Sequence, residues 1–367
     1  MSVVRPKILV FPFNLMAHYL RALEFVKRYQ SFDIYFQSSK DYDRYVLAEN
    51  HQLFHAINFD QKFVLNEFEK FSFKWLNEAD LSAIIATQIK IINELKPAFV
   101  IGDTNPCLKI ACEVTKTKYV SIINGYMTPY YTGVRNLPDS NFIAQLVNYF
   151  PKSIKKRTTK IGEKIVFWYI HLPFNRIRKK YQLATLSSYL DEFIADENYI
   201  CDLAFLFPQK NLPNNYLFVG PLLLENNQTE ATLISKLNPD KKNICITMGS
   251  SGRIEDFSFL NNSFFSDYKI IITGSTNQVP ANDNIINQNF VNLDKVLPHC
   301  NLLICHGGNG TIYYGLKHHV PMYCIPVHLE QQWNAARIEA LKLGYYHPSN
   351  VKKISIAHLK NLIDSSN

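Results

Sequence analysis

The segment best suited to chemistry runs from His306 to Thr311, directly after an apolar run and directly before a helical pattern. Its glycines let the backbone approach a ligand closely, and the N–H groups and positive dipole at a helix start attract phosphate. The segment therefore predicts a diphosphate cradle. A dinucleotide site is the competing interpretation, because Glu330 lies about twenty residues on, where a ribose-binding acid is expected. The histidine that opens the loop and the Gln331 that follows the acid argue against it.

A second candidate is His18, at the predicted junction of the first strand and the first helix. Imidazole has an ordinary pKa of about 6.5, so a neutral ring accepts a proton near neutral pH. Asp103, at the carboxyl end of a neighbouring predicted strand, is placed to hydrogen-bond the other ring nitrogen and to stabilise the imidazolium. Taken alone, a histidine that opens a helix is more often structural than catalytic.

Alternating strand and helix patterns must position these residues. The 367 residues suffice for two domains at about 150 residues each. Such alternation predicts parallel, doubly wound sheets, whose ligands bind beyond the carboxyl ends of the strands. The predicted strands of the first half are residues 7–13, 32–37, 98–102 and 118–123, and those of the second half are 243–247, 268–273, 285–290, 301–305 and 321–325.

A Gly-Pro turn at 220–221 and the polar run 225–230 indicate a linker between the halves. We therefore predict an α/β protein with one domain over residues 1–218 and a second over 219–367. Two such domains would face each other across a central cleft, which suits a reaction that joins two substrates.

Composition excludes several classes of protein. With 47% hydrophobic and 19% charged residues, the chain is not disordered as a whole. Its seven cysteines include no CxxC pair, so we expect buried thiols in a reducing, cytoplasmic setting.

Residues 8–17 have the length of a signal-peptide core, but Pro12 and Asn14 favour a first strand instead. No acidic cluster suited to a metal accompanies the cradle, so we expect neither a metal nor a cofactor.

The net charge of +8 is concentrated between Lys152 and Lys180, where ten basic residues meet one acid, Glu163. Aromatic residues are interleaved with this stretch. A merely solvated basic face and a helix lying on an anionic membrane surface both fit the pattern. Nucleic acid is a weaker alternative, and we expect no nucleic-acid partner.

The order His306 to Thr311, Val320-Pro321, Pro326, Glu330-Gln331 and Asn334-Ala335 strongly resembles the donor-binding motif of GT-B nucleotide-sugar glycosyltransferases. Bacterial relatives of the UDP-glycosyltransferase family are the most similar. Weaker similarities to the family extend over most of the chain, including Ala17-His18, where the family has Gly-His. The resemblance implies inverting, metal-independent transfer of a sugar to a hydroxyl acceptor, with His18 as the base and Asp103 as its partner.

The resemblance also implies that the domain over residues 1–218 binds the acceptor and that the domain over 219–367 holds the site for the nucleotide-sugar donor. This site has four parts. They are the glycine-serine loop (Gly249, Ser250 and Ser251), the base-binding loop (Phe290 and Val291), the cradle (His306, Gly307, Gly308, Asn309, Gly310 and Thr311) and the pair that holds the donor sugar (Glu330 and Gln331). Glutamate at 330 replaces the commoner aspartate, and Tyr314 stands where a ribose-binding glutamate is usual. These departures leave the sugar and the choice between UDP and dTDP open.

Two other functions stay open. A nucleotide-sugar 2-epimerase shares this fold and donor site but needs no acceptor, and a non-catalytic donor-binding subunit would not need His18. The acceptor is a small molecule or a lipid-linked alcohol. An aromatic loop at 124–131 suits an apolar acceptor, although its tyrosines fit ordinary packing equally well.

Overall fold

The computed structural model describes residues 5–70, 72–136, 151–223, 229–237, 242–249, 258–274, 282–348 and 353–364. These residues divide into two compact units. The first holds 5–135 and 151–223, and the second holds 136 and 229–364 with the gaps given above. The predicted domain boundary at 218 and 219 lies at the end of the last strand of the first unit. The predicted linker at 225–230 falls mostly outside the described residues.

The first unit is built on a seven-stranded parallel sheet in the order β3-β2-β1-β4-β5-β6-β7. Its strands are β1 (Lys7–Pro12), β2 (Asp33–Gln37), β3 (Gln52–Phe54), β4 (Phe99–Asp103), β5 (Tyr119–Ile123), β6 (Glu197–Ile200) and β7 (Tyr216–Phe218). Strands β4 and β5 are buried along their whole length, as expected of a sheet covered on both faces.

Helices cover the two faces of this sheet. They are α1 (Met16–Val26), α2 (Asp43–Ala48), α3 (Gln61–Glu69), α4 (Glu78–Leu95), α5 (Leu108–Thr115) and α6 (Lys152–Lys180). Local sequence explains the ends of α4. At the start of α4, the Asn77 side chain accepts a hydrogen bond from the Asp80 amide. At the end of α4, Lys96 takes a left-handed conformation just before Pro97.

The second unit repeats the plan with a six-stranded parallel sheet in the order β10-β9-β8-β11-β12-β13. Its strands are β8 (Asn243–Thr247), β9 (Lys269–Thr273), β10 (Ile285–Gln288), β11 (Leu302–Cys305), β12 (Met322–Cys324) and β13 (Gly344–Tyr346). Its helices are α7 (Ala231–Ile234), α8 (Leu293–Val296), α9 (Asn309–Lys317), α10 (Leu329–Ala340) and α11 (Ile356–Asp364). Gly344 begins a strand rather than ending the preceding helix, which stops at Ala340.

Strand order reverses direction once in each sheet, between β1 and β4 in the first and between β8 and β11 in the second. At such a switch point the connections diverge to opposite faces and leave a crevice at the carboxyl ends. Pro12 of β1 pairs with Asp103 of β4, and Thr247 of β8 pairs with Cys305 of β11. The predicted doubly wound α/β architecture is confirmed, and both groups of candidate residues follow these strand ends.

Helix α6 contains the basic stretch and is anchored at its carboxyl half. Phe174 and Ile177 are fully buried in the core of the first unit. The buried Arg178 donates to both carboxylate oxygens of Glu192, which also hydrogen-bonds the His171 ring at 2.7 Å. Buried charges are stable only when paired in this way. Among the described helices, none combines the length and apolar character that a bilayer crossing requires.

Candidate active site

His18 and Asp103 lie together at the switch point of the first sheet. His18 occupies the first turn of α1, and its Nδ1 is 2.7 Å from Oδ1 of Asp103 at the end of β4. Because a carboxylate only accepts hydrogen bonds, this contact favours the tautomer with the proton on Nδ1, although Arg21 Nη2 also lies 3.0 Å from this nitrogen. Nε2 then carries the lone pair, which is the arrangement that a general base needs. The predicted contact between the two side chains is present.

Arg21, one helical turn after His18, completes this contact. Its Nε donates to Oδ2 of Asp103 at 2.7 Å and its Nη2 donates to Oδ1, so the guanidinium grips both carboxylate oxygens. Burial alone would raise the pKa of Asp103, but Arg21 and His18 outweigh that effect and hold it below its usual value. Asp103 therefore stays ionised while fully buried. An i, i+3 spacing places Arg21 and His18 on one helix face.

The polar cluster continues along the carboxyl edge of the sheet. Arg21 Nη1 donates to Asn124 Oδ1 at 2.9 Å, and Asn124 follows β5. Asp202, which follows β6, accepts the Gly125 amide at 2.5 Å. With neutral His18, the two carboxylates and the single guanidinium carry a formal charge of −1. The carboxylates, the guanidinium and the Asn124 amide therefore form one polar cluster along the carboxyl edge of the sheet.

The backbone beside Asp103 is held in an unusual conformation. Thr104 has a φ of 48°, a left-handed value that branched residues seldom adopt. Its hydroxyl accepts from Arg21 Nη2 at 3.2 Å, and its amide bonds the Ile122 carbonyl at 3.1 Å. These contacts hold the strand end in place. Phe13 packs edge-on against the His18 ring with 5.6 Å between ring centroids, which restricts the imidazole plane.

In the second unit, the loop of residues 306–308 joins β11 to α9. Gly307 has a φ of 84°, and Gly249, after β8, has a φ of 57°, so both need glycine. A Cβ on Gly249 or Gly308 would collide with the His306 ring, which lies between the two loops. Glycine is therefore required at both positions by packing around this histidine.

His306 is a neutral ring in this environment. Burial lowers its pKa from 6.5 to about 4, and its Nδ1 is buried without a hydrogen-bond partner among the described residues. An unpartnered buried polar atom is costly and is commonly completed by a ligand. A neutral imidazole can present such an atom as a donor to a phosphate oxygen or as an acceptor from a hydroxyl.

This depressed pKa predicts how stability depends on pH. Because the unfolded ring titrates near 6.5 and the folded ring near 4, the unfolded state binds the proton first, and stability falls as pH drops between these values. The loss from His306 alone is on the order of 3 kcal/mol. Urea unfolding at pH 7 and about pH 4.5 should show a smaller loss for His306→Gln than for the unaltered protein. Equal losses in the two proteins would contradict the assignment.

Helix α9 begins directly at the loop. Gly308 is its N-cap and has no side chain to accept a hydrogen bond, and helix geometry offers no intrahelical acceptor for the first N–H groups. Asn309, Gly310 and Thr311 form the first turn. A Cβ on Gly310 would meet no atom within 4 Å, so the space beside this residue is open. The turn has the geometry of an anion site.

Helix α10 supports the loop from behind. The Asn334 side chain donates to the Gly307 carbonyl at 2.9 Å and is buried, so this residue of the predicted donor-binding motif holds the loop in place. Gln331 is also buried, and its side-chain oxygen accepts the Val327 amide at 2.9 Å across the helix start. Glu330 lies half-buried in the first turn beside it.

The remaining predicted donor residues differ in exposure. Phe290 presents 64% of its surface to solvent, whereas Val291 is buried in a small apolar cluster with Val296. An exposed aromatic ring next to a crevice suits stacking against a planar ligand. Ser250 and Ser251 lie outside the described residues. Within the described ranges, no group of three or more His, Cys, Asp or Glu side chains is arranged to hold a metal ion.

Comparison with solved structures shows the fold. The glycosyltransferase of kitacinnamycin matches 99% of this chain and 90% of its own with a TM-score of 0.68 at 14% identity. The calicheamicin glycosyltransferase CalG4 gives a TM-score of 0.66 at 15% identity, covering 99% and 93%. The fold is GT-B. Spinosyn rhamnosyltransferase SpnG, solved with thymidine diphosphate, is another GT-B structure that matches, at a TM-score of 0.65 and 12% identity over 98% and 91%.

Sequence comparison supports the same relationship. Residues 286–365 match the family model described as UDP-glucoronosyl and UDP-glucosyl transferase. A PGL/p-HBAD biosynthesis glycosyltransferase of Mycobacterium tuberculosis is 27% identical over 276 residues, covering 73% of this chain and 63% of the relative. A PGL/p-HBAD biosynthesis rhamnosyltransferase of Mycobacterium bovis is 22% identical, covering 72% and 59%. The resemblance to bacterial GT-B glycosyltransferases is confirmed, although the chain spans less than two thirds of these relatives.

Proposed function

We propose that this GT-B chain is an inverting glycosyltransferase that moves a sugar from a UDP- or dTDP-sugar to a hydroxyl acceptor. One observation carries the proposal. Each of the two sheets presents its predicted site residues at its own switch point, with the His18–Asp103 pair on the first and the glycine loop on the second. A base and a diphosphate cradle are the two parts that such a transfer requires.

The first unit supplies the base. The acceptor oxygen attacks the anomeric carbon of the donor, and Nε2 of His18 takes the hydroxyl proton as the new C–O bond forms. Asp103, gripped by Arg21, keeps the proton on Nδ1 and stabilises the resulting imidazolium. Direct displacement from the face opposite the leaving group inverts the anomeric configuration.

The second unit holds the leaving group. The bond between the anomeric carbon and the diphosphate oxygen breaks, and negative charge grows on the nucleoside diphosphate. We expect the backbone amides of Gly310 and Thr311 and the Thr311 hydroxyl to bind its oxygens at the positive end of α9. The positive end of the α9 dipole can stabilise this negative charge without a metal ion. Adding a chelator should therefore leave turnover unchanged.

Other residues fit recognition of the donor. The exposed Phe290 ring suits stacking on the nucleobase, and Glu330 at the start of α10 suits hydrogen bonds to sugar hydroxyls. Gln331, whose side chain holds the Val327 amide, would act on the donor by positioning this turn. Rhamnosyltransferase and thymidine diphosphate appear in the names of matched proteins, which supports including dTDP-rhamnose among the donors tested.

Two tyrosines of the aromatic loop at 124–131 are not available to contact an acceptor. Tyr126 and Tyr131 are buried and pack edge-on against Phe207, so they belong to the core of the first unit. We propose a hydroxyl-bearing small molecule or lipid-linked acceptor near Nε2 of His18.

A donor and acceptor panel tests the function. Purified protein is mixed with UDP- and dTDP-sugars, with and without alcohol acceptors, and the products are measured by mass spectrometry and NMR. We expect nucleoside diphosphate and an inverted glycoside to appear only when an acceptor is present. A 2-epimer of the donor, formed without acceptor, would indicate the epimerase instead. Nucleotide binding without turnover would indicate a non-catalytic subunit, a relevant outcome because one matched Mycobacterium bovis relative is named inactive.

A further inference from the structure

We propose that helix α6 docks this chain onto the surface of an anionic lipid bilayer. Five large apolar side chains on this helix are exposed: Ile154 (46%), Ile161 (52%), Ile165 (59%), Trp168 (53%) and Tyr169 (66%). Spacings of seven, four and three residues place the first four on one helix face. These five residues are termed the α6 apolar face.

Their concentration on one helix calls for a partner. The described residues contain thirteen exposed large apolar side chains, and five of them lie on α6. Single exposed apolar residues are ordinary, but a contiguous apolar patch marks an interaction surface. Isoleucine and tryptophan side chains are suited to the boundary between lipid headgroups and acyl chains.

The charges beside this face select the partner. Lys156, Arg157, Lys164 and Lys179 make no ion pair with an acid of the described chain. The only acid of the helix, Glu163, is paired with the buried Arg135 at 2.8 Å. Helix spacing places Arg157, Lys164 and Lys179 on or beside the apolar strip, whereas Lys156 lies on the other side of the helix. Anionic headgroups would match the charge of the first three cations.

The opposite side of the helix holds it in place. Phe174 and Ile177 are buried in the core, and the Arg178–Glu192 ion pair is fully buried. Turning the α6 apolar face inward would expose these groups, so the face stays outward. Pairing with a second copy of the chain would bring two strongly basic helices together, and a nucleic acid would leave the isoleucines without an apolar partner. A bilayer satisfies both features.

Vesicle flotation tests the proposal without any sugar donor, so its outcome is independent of the proposed enzyme activity. The protein should float with vesicles of equal parts phosphatidylglycerol and phosphatidylcholine, and much less with phosphatidylcholine alone. Trp168 should show a blue-shifted emission on binding, because its indole leaves water. Binding should also weaken as salt rises.

Paired variants separate the two contributions. Ile165→Ser with Trp168→Ser should weaken partitioning at least about tenfold. Neutralising three cations (Arg157→Gln, Lys164→Gln and Lys179→Gln) should weaken it about a hundredfold on the anionic vesicles alone. Leu47→Ser, which alters a side chain that is 55% exposed on α2, is the matched control and should bind normally.

Three outcomes would overturn the proposal. The first is vesicle binding that is absent or insensitive to the α6 variants. The second is a dimer, measured by analytical ultracentrifugation, that Ile165→Ser with Trp168→Ser converts to a monomer. The third is tighter binding to an RNA or DNA oligonucleotide than to anionic vesicles, lost on neutralising the same three cations.

Discussion

Replacing His18 with alanine is expected to abolish sugar transfer while nucleotide binding survives. The change removes the proposed general base, and general-base catalysis contributes about a hundredfold to ten-thousandfold to rate. The proposed nucleotide-binding residues belong to the other unit, and none of them is on α1. Turnover of the best donor and acceptor pair measures the first effect, and calorimetry with UDP or dTDP measures the second.

His51→Ala is the matched control for this prediction. His51 belongs to the same unit, and its ring stacks on Phe36 with 5.6 Å between centroids. It directly precedes β3, so it does not lie at the carboxyl end of a strand, where the proposed base lies. Its loss should leave kcat unchanged. If the His18→Ala protein kept turnover within a few-fold of the unaltered enzyme, the assignment of the base would be wrong.

Asp103 makes a poorer first target than His18. Changing Asp103 to asparagine would leave the buried Arg21 guanidinium without its bidentate partner. Removing one member of a buried ion pair typically costs about 3 to 5 kcal/mol of folding stability. A loss of activity in that variant would therefore mix catalysis with unfolding, whereas His18→Ala leaves the Arg21–Asp103 pair intact.

The second large effect is expected at Gly310. Valine at this position should weaken binding of UDP or dTDP about a hundredfold or more, because its side chain would fill the space in front of the α9 amides. Each charge-assisted hydrogen bond to phosphate is worth about 1.5 to 3 kcal/mol, so losing one or two accounts for that magnitude. Calorimetric titration with the free nucleotide measures the loss directly.

The fold itself should tolerate this change. A Cβ at residue 310 meets no atom within 4 Å, and valine has a somewhat higher helix propensity than glycine. The Tm should therefore be maintained. Gly162→Val, at an equally open helical glycine of α6, controls for the substitution and should leave nucleotide affinity unaltered. Unchanged affinity in Gly310→Val would rule out a diphosphate site at this turn.

Arg21 illustrates a site residue whose role was not predictable from its position in the chain. A basic residue in an amphipathic helix is usually solvated, and its partner Asp103 lies 82 positions away. Only the pairing of β1 with β4 brings the start of α1 to the end of β4 and buries the guanidinium there. The same pairing explains why Asn124 and Asp202 join the cluster, since parallel strands end at one edge.

The amino-acid sequence by itself determined the alternation of strands and helices, the placement of His18 and Asp103 at strand ends, and the glycine loop at residues 306–308. These features depend on hydrophobic periodicity and on local backbone requirements, which are properties of neighbouring residues. Tertiary structure alone decided that Arg21 grips Asp103, that His306 is buried and neutral, that Tyr126 and Tyr131 pack inside the core, and that one face of α6 stays exposed. Burial and ion pairing depend on residues distant in the chain, so they arise only once the sheets have assembled.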